Sequence, residues 1–232
     1  MNTARIHPAR LGATAAAVSL ALVGAMFLGP VQSGQAAGGQ EQHVHTSMRA
    51  VTGPELKLHD QMRRLWEAHV TWTRLAIVTF AGGTAGFDTT ATRLLRNQKQ
   101  IGAAFARYYG TRTGDHLASL LHDHITIAVE LLQAAKAGDQ AGVQDASKRW
   151  YANANEIADF LSSLNRHAWP RTALRSMMKT HLDQTLAEAV DELTGHYYAG
   201  VREYGQIEAH ILEMADTFSA GIVHQFPGRF SR

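Results

Sequence analysis

A six-residue pattern that occurs three times constrains this chain more than any other feature. Leu65-Trp66-Glu67-Ala68-His69-Val70 has two apolar residues, two mostly polar ones, a histidine and one apolar residue. Leu120-Leu121-His122-Asp123-His124-Ile125 and Met177-Met178-Lys179-Thr180-His181-Leu182 repeat the form. His124 follows His69 by 55 residues, and His181 follows His124 by 57. Between them lies a second echo. Leu94-Leu95-Arg96-Asn97 recurs as Trp150-Tyr151-Ala152-Asn153, 56 residues on. A near-constant period of this size marks one supersecondary unit copied along the chain.

Hydrophobic spacing identifies the unit as helical. Leu58, Met62, Leu65, His69, Trp72, Ala76 and Phe80 step by three and four, as one face of an α-helix does. Thr52 and Glu55 form a capping box at its start, with Pro54 in the first turn. The same stepping predicts five more helices. Asp88 caps the second, the third begins near Asp115, and Asp139 caps the fourth. Pro170 opens the fifth, Gly195 stops it, and Pro227 ends the sixth. The expected fold is all-α: a six-helix up-down bundle of three repeated αα-hairpins of about 55 residues. The hairpins fall at about 52–110, 113–165 and 170–227, in one domain over 52–228. A closed bundle and a tightly wound array both satisfy the pattern.

His69, His124 and His181 occupy slots where the spacing calls for apolar residues, and so do Asn97 and Asn153. A buried polar group costs free energy unless it is hydrogen-bonded. Five of them at repeat-equivalent positions predict a polar layer inside the bundle. The third copy departs from the pattern: Ile207 stands in the Asn position, and His210 falls on a flank, where Gln100 and Glu156 fall. Two readings of the layer follow. Each His bonds the Asn of its hairpin partner, with His181 turning to Glu208, Thr185 or water. Alternatively, His69, His124 and His181 present three imidazoles to Zn, Cu or Fe, oriented by Glu67, Asp123, Asp183 or Glu208. A haem held by one His and a Met such as Met178 or Met214 is a variant of the second reading.

The start of the chain belongs to a different class. Arg5 and Arg10 precede an uncharged run from Leu11 to Leu28, and small residues follow to Ala36. This is the layout of a secretory signal peptide over 1–36. A polar, Gly-containing lead-in over 37–51 includes His43 and His45. The first 36 residues hold two of the 22 Lys and Arg and none of the 20 Asp and Glu, so the remainder is formally neutral. Neutrality without a basic cluster argues against nucleic-acid binding. The chain has no Cys, which excludes disulfides and thiolate-bound cofactors. A chain soluble after signal cleavage, outside the cytoplasm or in the cell envelope, is expected. No phosphate loop, nucleophile elbow or Ser/His/Asp set is present. Trp66, Trp72, Trp150, Tyr151, Met177, Met178 and Met214 read as core. Arg93, Arg96 and Arg107 read as a solvated face, and His116 and His122 as exposed.

Several of these segments together resemble a family of exported bacterial all-helical proteins of unassigned function. They are 65–74, 94–98, 123–125, 149–154, 181–183 and 210–216. The resemblance spans about 65 to 227 and implies an exported helical protein. Similar sequences are sometimes labelled glycosyltransferase or kinase, but no phosphate cradle here supports those labels. The expectation is a non-enzymatic binding or stress-related envelope protein. A metalloprotein at His69, His124 and His181 is the alternative, and an unrecognised transferase is third.

Overall fold

A computed structural model describes residues 51–231. The segment 1–36 expected to be a signal peptide, and almost all of the expected lead-in, lie outside the described residues. Six α-helices follow one another: α1 Gly53–Ala81, α2 Phe87–Tyr109, α3 Thr111–Ala137, α4 Gln140–Leu164, α5 Arg171–Thr194 and α6 Tyr197–Gln225. One turn of 3-10 helix, Pro227–Arg229, closes the order. Among the described residues there is no strand.

Several boundaries follow from named caps. The Thr52 side chain accepts from Glu55 N at 3.3 Å, and Glu55 Oε2 accepts from Thr52 N at 2.8 Å. Two donors that the helix start leaves unpaired are thereby satisfied. Asp139 accepts from Gly142 N at 3.0 Å and starts α4. The far end of α1 lacks a basic residue of its own. Lys136 of α3 supplies one, donating to Phe80 O at 2.6 Å while lying 4.8 Å from the Phe80 ring centre. A cation there complements the helix dipole.

Two starts differ from the expected ones. α2 begins at Phe87 behind Gly86, so Asp88 sits in the first turn and caps nothing. α3 begins at Thr111, four residues ahead of Asp115, because Gly110 at φ +88° ends α2 and starts α3 in a single residue.

Each helix packs on its sequence neighbours, α6 returns to α1, and α1 also meets α5. Contacts between α1 and α6 run in opposite chain order: Arg63 with Asp216, Thr71 with Tyr204, Arg74 with Gly200. α2 and α3 approach most closely at Gly102 and Gly114. A Cβ on Gly102 would lie 2.4 Å from Gly114 O, and one on Gly114 would lie 2.5 Å from Gly102 O.

The apolar core is strongest on one side of the His level, around Met62, Phe105, Leu117, Leu161, Trp169 and Phe218. Trp169 fills the α4–α5 connection. Its indole donates to Thr217 O at 3.0 Å, and its ring meets Phe218 edge-on at 5.7 Å. Asn165 beside it donates to Gly221 O at 2.9 Å. On the other side of the His level the interior of α5 turns polar, with Thr185, Glu188 and Glu192 all buried.

Candidate functional site: a buried ring layer

His69 on α1, His124 on α3 and His181 on α5 are all buried, at 3, 3 and 4% exposure. Their ring centres lie 5.8 Å apart for His69 and His181, and 6.4 Å for His124 and His181. Trp66 meets His69 edge-on at 5.9 Å, and Trp150 lies 5.3 Å from His124. Five rings therefore cross the interior in the order Trp66, His69, His181, His124, Trp150.

Each His helix is anchored at one carbonyl from the helix that follows it. Asn97 Nδ2 donates to Leu65 O at 3.0 Å, and Asn153 Nδ2 donates to Leu120 O at 3.1 Å. His210 Nε2 donates to Met177 O at 2.9 Å. Leu65, Leu120 and Met177 each stand four residues before a layer histidine. Helical geometry already gives their carbonyls the histidine's own N–H, so each accepts twice. His210 is thus a working member of the layer and not a flanking residue. Ile207, in the Asn register, is buried apolar core. One turn separates Ile207 from His210, and the longer imidazole spans the difference.

The second hairpin fixes its proton. Asn153 spends its amide nitrogen on Leu120 O, so its Oδ1 faces His124 Nδ1 at 2.9 Å and can only accept. His124 therefore carries its proton on Nδ1. The first hairpin has the same residues and the same anchor, but it lacks this bond. His69 Nδ1 and Asn97 Oδ1 are both buried without a hydrogen-bond partner. His181 Nδ1 has none either, and Thr185 bonds the His181 carbonyl in place of its ring. Pairing of every layer His with an Asn thus holds for His124 alone.

Unpaired polar atoms concentrate here. Among the described residues the others are Trp66 Nε1, Trp150 Nε1, Gln98 Oε1, Arg93 Nη1 and Gln184 Oε1. Every one lies within about a turn of the ring layer in its own helix, and Trp66 reaches the edge of the apolar half, where its ring lies 5.4 Å from that of Phe218. Gln98 and Gln184 were not anticipated as members. Arg93 is not on a solvated face: it is half-buried, with its guanidinium 5.0 Å from the Trp72 ring centre.

Burial holds the layer neutral. It pushes His69 down to about 3 and His124 down to about 4, the latter opposed by the Asn153 bond. Burial also lowers His181 well below the usual imidazole value, helped by its proximity to His69, His124 and His210. The anticipated carboxylates do not reach the rings. Glu67 and Asp123 are exposed, because residues two and one before a histidine point about 200° and 100° away around the helix. Asp183 is exposed, accepting from Tyr151 and Lys179, both at 2.6 Å, and Glu208 is half-buried. Among the described residues no group of three or more His, Cys, Asp or Glu is arranged to hold a metal ion.

A second polar cluster lies toward the other end of α5. Arg74 donates to Glu188 at 2.5 Å, to Glu192 at 3.2 Å and to Gly200 O at 3.3 Å, and its guanidinium sits 5.2 Å from the Tyr204 ring centre. Burial pushes Glu188 up to about 7, against the pull of Arg74. Its signal was present in the sequence: Thr185, Glu188 and Glu192 continue the His181 face at helical spacing.

No family model, curated protein or solved structure matches the chain. The geometry of the layer itself therefore carries the functional argument.

Proposed function

We propose that this chain is an exported, non-enzymatic binding protein whose ligand sits in the ring layer. The observation that carries this reading is that, among the described residues, the buried side-chain nitrogens and oxygens left unpaired all lie within about a turn of the layer in their own helices. Buried donors and acceptors are paired in native proteins with few exceptions. A single level holding all the exceptions is what a protein that completes its hydrogen bonds with a bound molecule requires. Binding is favoured over turnover because the layer offers neutral donors and acceptors, with no activated nucleophile beside them. In this reading residues 1–36 direct export, and cleavage releases the chain to an extracytoplasmic location. Residues 52–228 form an up-down bundle of three αα-hairpins. The three anchoring bonds, at equivalent carbonyls of α1, α3 and α5, support that repeat.

The spacing of the three imidazoles favours a second reading, a Zn, Cu or Fe ion at His69, His124 and His181. Against it, Glu67, Asp123 and Asp183 are exposed, and among the described residues no group of three or more His, Cys, Asp or Glu is arranged to hold a metal ion.

The test is native mass spectrometry and elemental analysis of the exported protein, purified without a His tag. A bound small molecule that is lost on unfolding supports the main reading. Near-stoichiometric metal, lost alike in His69→Ala, His124→Ala and His181→Ala, establishes the second. A mass equal to that of the bare chain, from every host and medium tried, defeats both.

A further inference from the structure

We infer that the side of the layer formed by His69, Asn97 and His181 receives a neutral hydroxyl group, from ordered water or an alcohol, which bridges His69 Nδ1 and Asn97 Oδ1. This rests on the reading of the layer as a binding site and specifies the chemistry of the guest.

The α1–α2 and α3–α4 pairs carry the same His and Asn at equivalent positions. Asn97 and Asn153 donate to equivalent carbonyls at 3.0 and 3.1 Å. In the second hairpin Asn153 Oδ1 takes the imidazole proton directly at 2.9 Å. In the first the corresponding atoms are both buried and both unpaired. Asn97 is 0% exposed and His69 is 3% exposed, so bulk solvent does not serve them. Because its nitrogen is occupied, Asn97 Oδ1 can only accept, and whatever meets it must donate. His69 Nδ1 on a neutral ring either donates or accepts, and His181 Nδ1, on the ring centred 5.8 Å away, does the same. A hydroxyl has the one donor and two acceptor positions that such a trio needs. Buried water is held by two to four partners of this kind.

Charge selects against the other guests. A cation would enter a site whose fixed acceptor is one amide oxygen, with Glu67, Asp123 and Asp183 all turned to solvent. Burying an ion without a counter-charge is strongly unfavourable. An anion would meet the acceptor Asn97 Oδ1, which offers it no proton.

A high-resolution crystal structure of the exported protein, prepared without alcohols, decides the matter. An oxygen within about 2.6–3.2 Å of both His69 Nδ1 and Asn97 Oδ1 sustains the inference. A direct His69–Asn97 bond like that of His124 and Asn153, or a metal bonded to His69 and His181, overturns it. A second preparation containing ethane-1,2-diol separates the sources, since water persists as a single oxygen and a diol shows as an elongated one. Water alone sustains this inference while defeating the small-molecule reading above, an alcohol sustains both, and a metal overturns both in favour of the second reading. Water ¹⁷O relaxation dispersion provides a check in solution. Asn97→Leu should remove one long-lived internal water, or the alcohol released on denaturation, and Asn153→Leu should remove neither. The wild-type protein needs no substitution to be decisive: no long-lived water and no released alcohol overturn the inference.

Discussion

The bond between His124 and Asn153 is the one direct imidazole–amide contact in the layer, and its two ends depend on each other. Removing His124 alone orphans a buried acceptor. His124→Leu should therefore cost about 1–3 kcal/mol, and adding Asn153→Leu should cost less than the sum of the two single changes. Urea unfolding of the four proteins measures the coupling, and additive effects would refute direct pairing. The layer also governs the pH dependence. An unfolded histidine titrates near 6.5, whereas burial lowers His69 to about 3 and His124 to about 4, and holds His181 well below the usual imidazole value. As pH falls below 6.5 the unfolded chain binds three protons that the folded chain refuses, so stability falls. Glu188 works the other way by one proton, because its folded value is raised to about 7 from 4.5. The net difference grows from under one proton at pH 6.5 to about two at pH 5, which predicts a loss of roughly 1 kcal/mol per pH unit at the upper end of that range and roughly 3 at the lower end. The His124→Leu/Asn153→Leu double variant should show a shallower slope, by about one proton's share. At this scale the sequence displayed which positions break the apolar face, and so exposed the layer. It could not show which nitrogen holds a proton, nor that Asn97 and Asn153 would behave differently. Glu67 and Asp123 neighbour the histidines in the chain but face solvent, because closeness along the chain is not closeness around a helix.

Helices show their interiors in sequence more readily than their starts. The three-and-four stepping of α1 and the Thr52–Glu55 box were legible because side chains carry both signals. The starts of α2 and α3 rest on Gly86 and Gly110, where no side chain makes a cap, and so no residue announced them. Packing between elements is hidden in the same way, since a glycine pair reads as two weak helix formers until the partner helix is in place. Gly102→Ala should cost about 1–3 kcal/mol despite the better helix propensity of Ala, because its Cβ would meet the backbone of α3. Gly205→Ala on α6, where a Cβ has nothing within 4 Å, should instead gain up to about 1 kcal/mol. Shifts of opposite sign in the urea midpoint at constant slope are the expected result. Equal shifts would show that propensity, and not the α2–α3 approach, governs both positions.

For the whole molecule, the sequence left open whether three hairpins curl into a ring or string out as an array. Among the described residues α6 packs on α1, and no local pattern encodes that contact. The residues that make the return are ordinary surface charges in sequence: Arg63 grips Asp216 through two bonds of 2.8 Å, and His59 reaches the same carboxylate at 3.0 Å. Because these contacts lie near the start of α1 and toward the end of α6, the two ends of the helical domain are neighbours. A covalent bridge between them would add little strain, and the fold would then have no privileged first helix. A circular permutant follows, with a short flexible linker from 231 to 51 and new termini opened at the exposed Gly138 turn. It should recover native helix content by circular dichroism and unfold in a single cooperative step. Chain order would then be a historical property of this protein, and the cyclic order of its helices the physical one.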